Sequence, residues 1–528
     1  MRSDDTRAQR ADASTAIGRA RRGTAREREG AFGNAVITAE VRYSLLTKHY
    51  RTTIEKPVGV NSVVPVMSRP NVVWITLDSV RADHTSLNGY ERETTPFLRS
   101  LVEEPAGTAF RQCFAHSKST HPSSGAILTG TPPTHNTVGV TGDKLPPTVP
   151  SVAERFGRAG YRTACLSRNS YVSPATGLDR GFDRFQWLAS ATLHQLHPGT
   201  LLRYVANIRR HSAGLALDTA KHASPFLMND TAKRWLAEFE TDTEPFFFYL
   251  HYNEPHRPYY PPNTYLDRFT DGLAMSADEA AAFAMEFHYT LDEIIATGCD
   301  LTDDEWDAIF AMYDAEIAYT DHMVGNLVRH LRTLDLGDTV VVVTADHGEL
   351  FGEYGLLAHS YVLNDAVTHV PLVVHGLDDL EAGPDDIVQH GDVMKTLLES
   401  VGGDTEGMAG TDLRTGRPAF AVSQRGPIDI DDLLDINPEF DASRFHQSTL
   451  TALRTKRFVY QRSENGSELF ERPDETTDVS NTYPNVAESL DATLSGWLEA
   501  NAEPAGAGRP GDFSASNERQ LRDLGYLE

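Results

Sequence analysis

The sequence predicts an α/β fold in which helices cover both faces of a mostly parallel sheet. Apolar runs of strand length recur along the chain and alternate with longer stretches of helical periodicity. Continuous apolar runs are typical of parallel strands, because helices bury both faces of such a sheet. The pattern changes near residue 413, which predicts a small α+β subdomain in the carboxyl-terminal part of the chain.

The strands of the sheet are predicted from short apolar runs. None of these runs is long enough to cross a bilayer, so no transmembrane segment is expected. Polar or turn-forming residues bound each run, as is typical of strands. The runs span residues 72–77, 161–167, 245–251, 339–344 and 370–375.

The helices are predicted from apolar residues at helical spacing. One long helix is expected over residues 306–333, and shorter helices are expected over 150–158 and 389–401. The stretches 190–240 and 270–305 look like helical insertions on either side of one predicted strand. We expect these insertions to cover a site, because loops on a rigid scaffold control access.

These patterns divide the chain into four segments. Residues 1–68 are interpreted as a disordered or loosely packed extension with one helix around 37–50. The main catalytic domain is expected over 69–412, and the small subdomain over 413–500. Residues 501–528 begin with a Pro/Gly/Ala-rich stretch and are interpreted as a linker and tail.

The chain is strongly acidic and poor in lysine, with a formal net charge of −27. This excess of acidic residues predicts a halophilic enzyme, and the alternative is an ordinary acidic enzyme. The negative charge also disfavours binding to nucleic acid or to acidic membranes. The three cysteines are widely spaced and form neither a metal motif nor a disulfide framework. Arg21 and Arg22 precede polar residues rather than an apolar export segment, so a cytoplasmic location is expected.

Two predicted strands end in residues of the types that bind metal ions. Asp78 follows the first strand, and the Asp346-His347 pair follows a valine-rich strand. Ligands gather at the carboxyl ends of strands in an open α/β sheet, and a carboxylate beside an imidazole can share one cation. The alternative is that each aspartate only caps a helix, which for Asp78 would span 79–83. The agreement between two separate strands favours a divalent cation.

Thr120 is the candidate nucleophile. It stands at the predicted start of a helix rich in small residues, near backbone amides and the positive end of the helix dipole. Coordination to a cation favours the alkoxide of such a hydroxyl. Without a nearby metal site, the simpler interpretation is that Thr120 caps the helix.

Two histidines are further candidates. His256 follows a strongly apolar strand and is expected to donate to an oxyanion or to a leaving group. Glu254 is a candidate ligand or the buried partner of Arg257. His359 follows the second metal turn and is a candidate for contacting the anion or a second metal. A surface or packing role is the alternative for each of them.

The order of these motifs resembles that of the sulfatase family within the alkaline-phosphatase superfamily. The order is specific, although no single motif is decisive, and it extends over roughly residues 70–500. The resemblance implies an alkaline-phosphatase-like sheet sandwiched by helices, with a small C-terminal α+β subdomain. The matching segments are residues 71–78, 119–130, 159–164, 255–259, 313–321, 344–349 and 468–481.

The resemblance also implies a metal-dependent esterase. One divalent metal ion is implied (calcium, zinc or manganese), with a second metal as an alternative, and the substrate is a small-molecule or glycan sulfate or phosphate ester. The implied metal ligands are Asp78, Thr120, Asp346 and His347. The implied catalytic residues are Thr120, His256 and His359, and the implied substrate-binding residues are Arg168, Asn169 and Glu254.

The chain departs from the family pattern around the nucleophile. Sulfatases oxidise a signature Cys or Ser to formylglycine, whereas the extra methyl group of Thr120 blocks that product. Ser124 stands at the signature Arg position, and Ser79 stands at the position of a second carboxylate. Calcium sulfatases often carry Asn at the position of His347, and an imidazole there moves the preference toward zinc or manganese.

Three functions follow from this pattern. The first is a sulfatase-family hydrolase that cleaves sulfate or phosphate esters through Thr120. The second is a phosphodiesterase or phospho-group transferase of the same superfamily. The third is a binder of sulfated or phosphorylated glycans that does not cleave them.

Overall fold

The computed structural model of the protein describes residues 69–214 and 221–525. The predicted extension over 1–68, with the helix around 37–50, lies outside the described residues. In chain order the strands are β1 Asn71–Leu77, β2 Gly107–Ala109, β3 Gln112–Phe114, β4 Arg162–Ser167, β5 Arg184–Trp187, β6 Phe246–Tyr252, β7 Thr339–Ala345, β8 Leu350–Phe351, β9 Leu357–Ala358, β10 His369–Val370, β11 Leu372–His375, β12 Ile387–Gln389, β13 Ala421–Arg425, β14 Leu450–Arg454, β15 Phe458–Ser463 and β16 Gly466–Glu471.

The helices follow the strands along most of the chain. Within the described ranges, no helix is long and apolar enough to span a membrane. In chain order they are α1 Pro96–Val102, α2 Thr120–Ile127, α3 Pro133–Asn136, α4 Val152–Arg158, α5 Pro198–Asn207, α6 Pro225–Phe239, α7 Ala277–Tyr289, α8 Leu291–Ala296, α9 Asp303–Leu331, α10 Asp365–Thr368, α11 His390–Ser400, α12 Asp431–Ile436, α13 Pro484–Asn501 and α14 Ala515–Asp523.

The large sheet has seven strands in the order β2-β11-β7-β1-β6-β4-β5. The five strands from β7 to β5 run parallel to their neighbours, and β11 and β2 add antiparallel pairings at one side. This arrangement confirms the predicted mostly parallel sheet. The register aligns Leu77 of β1 with Ala345 of β7 and with Tyr252 of β6. The carboxyl ends of the three central strands therefore meet at one edge.

Helix α9 is the long helix predicted over 306–333, and it spans 29 residues from Asp303 to Leu331. A capping box starts it, in which Thr302 and Glu305 satisfy each other's backbone amides. Its apolar face is buried along most of its length, including Ile309, Tyr313 and Val324. Helices α6 and α7, from the two predicted insertions, pack against α9.

The carboxyl-terminal part contains the predicted α+β subdomain. Strands β13 to β16 form an antiparallel sheet in sequence order, and α13 packs on it through Leu494, which shares a buried cluster with Leu453 and Leu469. The following stretch, interpreted from the sequence as a linker and tail, contains α14 and lies on the main domain. Its backbone bonds there include Ala505 N to His135 O at 2.9 Å.

Candidate active site

Thr120, Asp78 and His347 meet at the carboxyl edge of the central strands. The Oγ1 hydroxyl of Thr120 lies 3.2 Å from Oδ1 of Asp78 and 3.1 Å from Nε2 of His347. All three side chains are fully buried. Thr120 is the first residue of α2, so its oxygen also lies at a helix N-terminus, where backbone amides favour negative charge. The structure thus brings together residues that are far apart in the sequence.

Ser79 positions the two aspartates. Its backbone has φ +66°, so the chain turns sharply after β1. The next helical turn is a 3₁₀ turn over Ala82–His84 whose N-cap is Arg81, so Asp78 does not cap a helix as the alternative required. Its amide donates to Oδ1 of Asp346 at 3.3 Å, and its hydroxyl donates to Oδ1 of Asp78 at 3.2 Å. The hydroxyl of Tyr313 on α9 donates to the Ser79 carbonyl at 2.6 Å, which fixes this turn from the opposite side.

The turn after β7 fixes the orientation of His347. Its Nδ1 lies 2.8 Å from the Gly348 carbonyl, a contact that places the proton on Nδ1 and turns the Nε2 lone pair toward Thr120. A Cβ at Gly348 would lie 2.0 Å from the Ala366 carbonyl oxygen, so only glycine fits this turn.

His251 is a site residue that the sequence analysis did not identify. Its Nε2 lies 3.6 Å from Oδ2 of Asp78 and 3.9 Å from Oδ2 of Asp346, and the side chain is fully buried. On the other side of the ring, Nδ1 lies 3.2 Å from the Tyr249 hydroxyl. The residue occurs inside an apolar strand rather than after it, so the rule that ligands follow strands does not select it.

Asp78, His251 and Asp346 fit a divalent cation. Their ligand atoms lie within 4.8 Å of one another. Among the described residues, Nε2 of His251 and Oδ2 of Asp346 are buried without a hydrogen-bond partner, which a bound cation would provide. A set of carboxylate and imidazole ligands suits zinc or manganese better than an oxygen-only set does.

The pKa shifts of Asp78 and Asp346 also favour a bound cation. Burial opposes the ionisation of Asp78, but the imidazoles of His256, His251 and His347 outweigh it and lower the pKa. Burial and the charge of Asp78 raise the pKa of Asp346. Two carboxylates buried this close together are both ionised only when positive charge lies between them.

Asn169 contacts Asp78 directly. Its Nδ2 donates to Oδ2 of Asp78 at 2.8 Å, so it orients a carboxylate of the cation site. The predicted substrate-binding residues Arg168 and Glu254 lie further out and line a cavity of about 240 Å³. Glu254 is held by the Ser224 amide and hydroxyl, at 2.6 and 2.9 Å. Glu254 was also a candidate partner of Arg257, but the described contacts include no hydrogen bond between these two residues. Arg257 instead bonds to His288, Leu524 and Gly525.

His256 and His359 stand on the open side of the site. The His359 ring centroid lies 4.6 Å from that of His347 and 5.3 Å from that of His256. Burial lowers the pKa of His256 to about 4, so its ring is neutral near pH 7, and its Nδ1 lies 2.9 Å from the Arg257 carbonyl. An anionic group bound beside these rings favours their protonated forms.

Glu349 is a further buried group at the site. Its Oε1 lies 3.7 Å from Nδ1 of His359, and burial raises the pKa of Glu349 to about 7. It stands in the same turn as the Asp346-His347 pair. Glu349 lies in the matched segment 344–349, but no sequence pattern indicates a role for it.

Comparison with known proteins agrees with this geometry. A model of the sulfatase family matches residues 70–403. Arylsulfatase K of Canis lupus familiaris is 26% identical over 459 residues, which cover 80% of this chain and 82% of that protein. Human arylsulfatase K is 25% identical over 457 residues, with 80% and 81% covered.

Solved structures have the same fold. The phosphonate monoester hydrolase of Agrobacterium radiobacter has a TM-score of 0.62 at 22% identity, covering 82% of this chain and 96% of that one. A protein solved in complex with its substrate D-glucosamine-2-N,6-O-disulfate has a TM-score of 0.58 at 16% identity, with 82% and 99% covered. The chain therefore belongs to the sulfatase family, which confirms the expectation of a sulfatase-like hydrolase of sulfuric or phosphoric esters.

Proposed function

We propose that the protein is a metal-dependent hydrolase of sulfate or phosphate esters that uses the Thr120 hydroxyl as its nucleophile. One observation carries this proposal: the buried Thr120 oxygen lies 3.2 Å from Asp78 and 3.1 Å from His347, at a helix N-terminus. Family membership and the arylsulfatase names of the similar proteins support the choice of ester.

The proposed cation ligands are Asp78, Asp346, His347 and His251, together with Thr120. A divalent cation held there lowers the pKa of a hydroxyl and neutralises charge on an anionic ester. The residues around it keep these ligands in place. Asn169 and Ser79 orient Asp78, and the Tyr249 hydroxyl orients the ring of His251.

The reaction follows from the position of the threonine oxygen. The single proton of the Thr120 hydroxyl passes to Asp78 or His347, whose acceptor atoms lie 3.2 and 3.1 Å away, and the oxygen then attacks sulfur or phosphorus in line. The attack forms a covalent ester on Thr120 and breaks the bond to the leaving-group oxygen. His256 and His359 lie where they can stabilise equatorial negative charge and supply the proton that the departing alcohol takes. Water then hydrolyses the threonine ester.

A panel of matched esters tests this function. Purified protein is assayed in high salt with an aryl sulfate, an aryl phosphate and an aryl phosphodiester that share one leaving group. Cleavage of the sulfate or the phosphate monoester supports the proposal. A strong preference for the diester supports the phosphodiesterase alternative, which is favoured because Thr120 cannot form formylglycine. Binding without turnover of any ester rejects both and supports the glycan binder.

Replacing His251 by glutamine is expected to weaken metal binding by about 10-fold or more, because the substitution removes an imidazole nitrogen that faces both aspartates. Metal content by elemental analysis and affinity by calorimetry measure this effect. Tyr249→Phe is the matched control, since it removes only the hydroxyl beside Nδ1 and is expected to have a smaller effect. Unchanged metal affinity in His251→Gln would show that His251 is not a ligand.

A further inference from the structure

Helix α14 packs one face of its short length against the main domain. A capping box starts the helix, in which Ser514 and Asn517 bond to each other's backbone amides. The buried residues recur at helical spacing, as is typical of a helix that covers a domain. These buried residues are Asn517, Gln520, Leu521 and Leu524. The end of the chain therefore has a fixed position on the main domain.

Gln520 lies in the middle of this buried face, and its side-chain amide is bonded on both sides. Its Oε1 accepts from the Ser170 hydroxyl at 2.6 Å and from Nε1 of Trp187 at 2.9 Å. Its Nε2 donates to the Arg168 carbonyl at 2.6 Å, across 352 residues of chain. Two of these three partners are the residues on either side of Asn169. Gln520 thus holds the loop of residues 168–171 from both sides of that asparagine.

This loop reaches the proposed metal site through Asn169. Nδ2 of Asn169 donates to Oδ2 of Asp78 at 2.8 Å, and the Tyr171 amide fixes the side chain by donating to its Oδ1 at 2.9 Å. The Arg168 amide donates to the His251 carbonyl at 3.0 Å, so the loop starts from a fixed point at β6. The contacts with α14 then determine where the rest of the loop lies.

The residues just before α14 support the same loop. The ring of Phe513 meets that of Tyr171 edge-on, with the centroids 6.1 Å apart. The other side of Tyr171 stacks on His121, at a centroid distance of 4.4 Å. His121 follows Thr120 directly in α2. The carboxyl-terminal segment therefore contacts the loop at two separate places, through Phe513 and through Gln520.

We propose that Gln520 is a positioning residue of the metal site and that it acts through Asn169. By bonding to both neighbours of Asn169, it keeps the asparagine amide on the carboxylate of Asp78. Partners that orient a metal ligand in this way contribute to metal affinity without touching the ion. This inference rests on the proposed function, because Asp78 is one of the cation ligands proposed there.

A double-mutant cycle tests the proposal, because a residue that acts through Asn169 has no effect on the metal site when Asn169 is absent. The probes are manganese(II) and zinc(II), and calorimetry on metal-free protein measures the Kd of each ion. Asn169→Ala is expected to weaken binding about 10-fold, and Gln520→Ala about 3-fold. The double variant is expected to bind about as weakly as Asn169→Ala alone.

Two variants are the controls for Gln520→Ala. Trp187→Phe removes one bond of Gln520 but leaves both bonds between Gln520 and the loop in place. Glu518→Ala changes an exposed residue of the same helix. Both controls are expected to bind each ion within about 1.5-fold of the unmodified protein, because neither disturbs the bonds to the loop. If thermal unfolding shows that Gln520→Ala does not fold, Ser170→Ala removes the bond from the loop side and takes its place in the cycle.

The outcomes separate this inference from the proposed function. Additive effects of Gln520→Ala and Asn169→Ala on the Kd overturn the inference, since Gln520 then acts independently of Asn169. Unchanged metal affinity in Gln520→Ala overturns it as well, and an equal loss in Trp187→Phe shows that Gln520 only anchors α14. These three results leave the proposed function intact. Failure of the unmodified protein to bind either ion rejects the proposed metal site itself, and the inference with it.

Discussion

Replacing Thr120 by alanine is expected to lower kcat by about 10⁴-fold or more, because the substitution removes the oxygen that is proposed to attack the ester. The fold is expected to persist. The contacts of the Thr120 hydroxyl with Asp78 and His347 are lost, but these two residues keep their bonds to Ser79 and Gly348. Steady-state kinetics measure the effect on turnover, and thermal unfolding with circular dichroism checks the fold.

Thr120→Ser is the control for this experiment. Serine keeps the hydroxyl and loses only the methyl group, so measurable turnover is expected in this variant. Full activity in Thr120→Ala would contradict a threonine nucleophile. Equal inactivity of the serine and alanine variants would show that the methyl group, rather than the oxygen, is what the site requires.

Removing the metal is expected to abolish turnover reversibly. Dialysis against a chelator should lower activity at least about 100-fold and lower the melting temperature, since a ligand at 100 times its Kd stabilises the folded state by about 2.7 kcal/mol. Adding back one divalent ion at a time should restore both quantities, and the ion that restores activity at the lowest concentration identifies the cofactor. Activity that resists exhaustive chelation, in protein shown to be metal-free, would refute metal dependence.

Asp346→Asn tests metal dependence by removing a proposed metal ligand, and Asp83→Asn is its control. Asp346 is fully buried and faces His251, whereas 61% of the Asp83 side chain is exposed and its carboxylate pairs with Arg81. The first variant is expected to be purified without metal and without activity. The second is expected to keep both, although Asp83 follows β1, the strand that ends directly before Asp78.

Most of the sheet and the pairing of ligands at its edge could be predicted from the sequence. Apolar runs in the sequence predict β1 and β7, and Asp78 and Asp346 follow these strands directly. Parallel pairing in register then brings the two carboxylates together. The position of Thr120 required the additional information that α2 begins at the same edge, which the resemblance supplied.

The remaining site residues could not be predicted by these rules. The ring of His251 enters the site because β6 pairs with β1 so that His251 lies opposite Thr76, and a single sequence does not specify this register. Arg257 and Gln520 form their contacts across more than 250 residues of chain. Such contacts depend on how distant surfaces pack, and no local pattern near residue 520 indicates them.

The bonds from Arg257 to the carbonyls of Leu524 and Gly525 have a practical consequence for anyone producing this protein. An affinity tag fused after Glu528 would begin within a few residues of Gly525 in sequence, and Leu524 lines the cavity of about 240 Å³. Recombinant material for kinetic work should therefore carry its tag at the amino-terminal end.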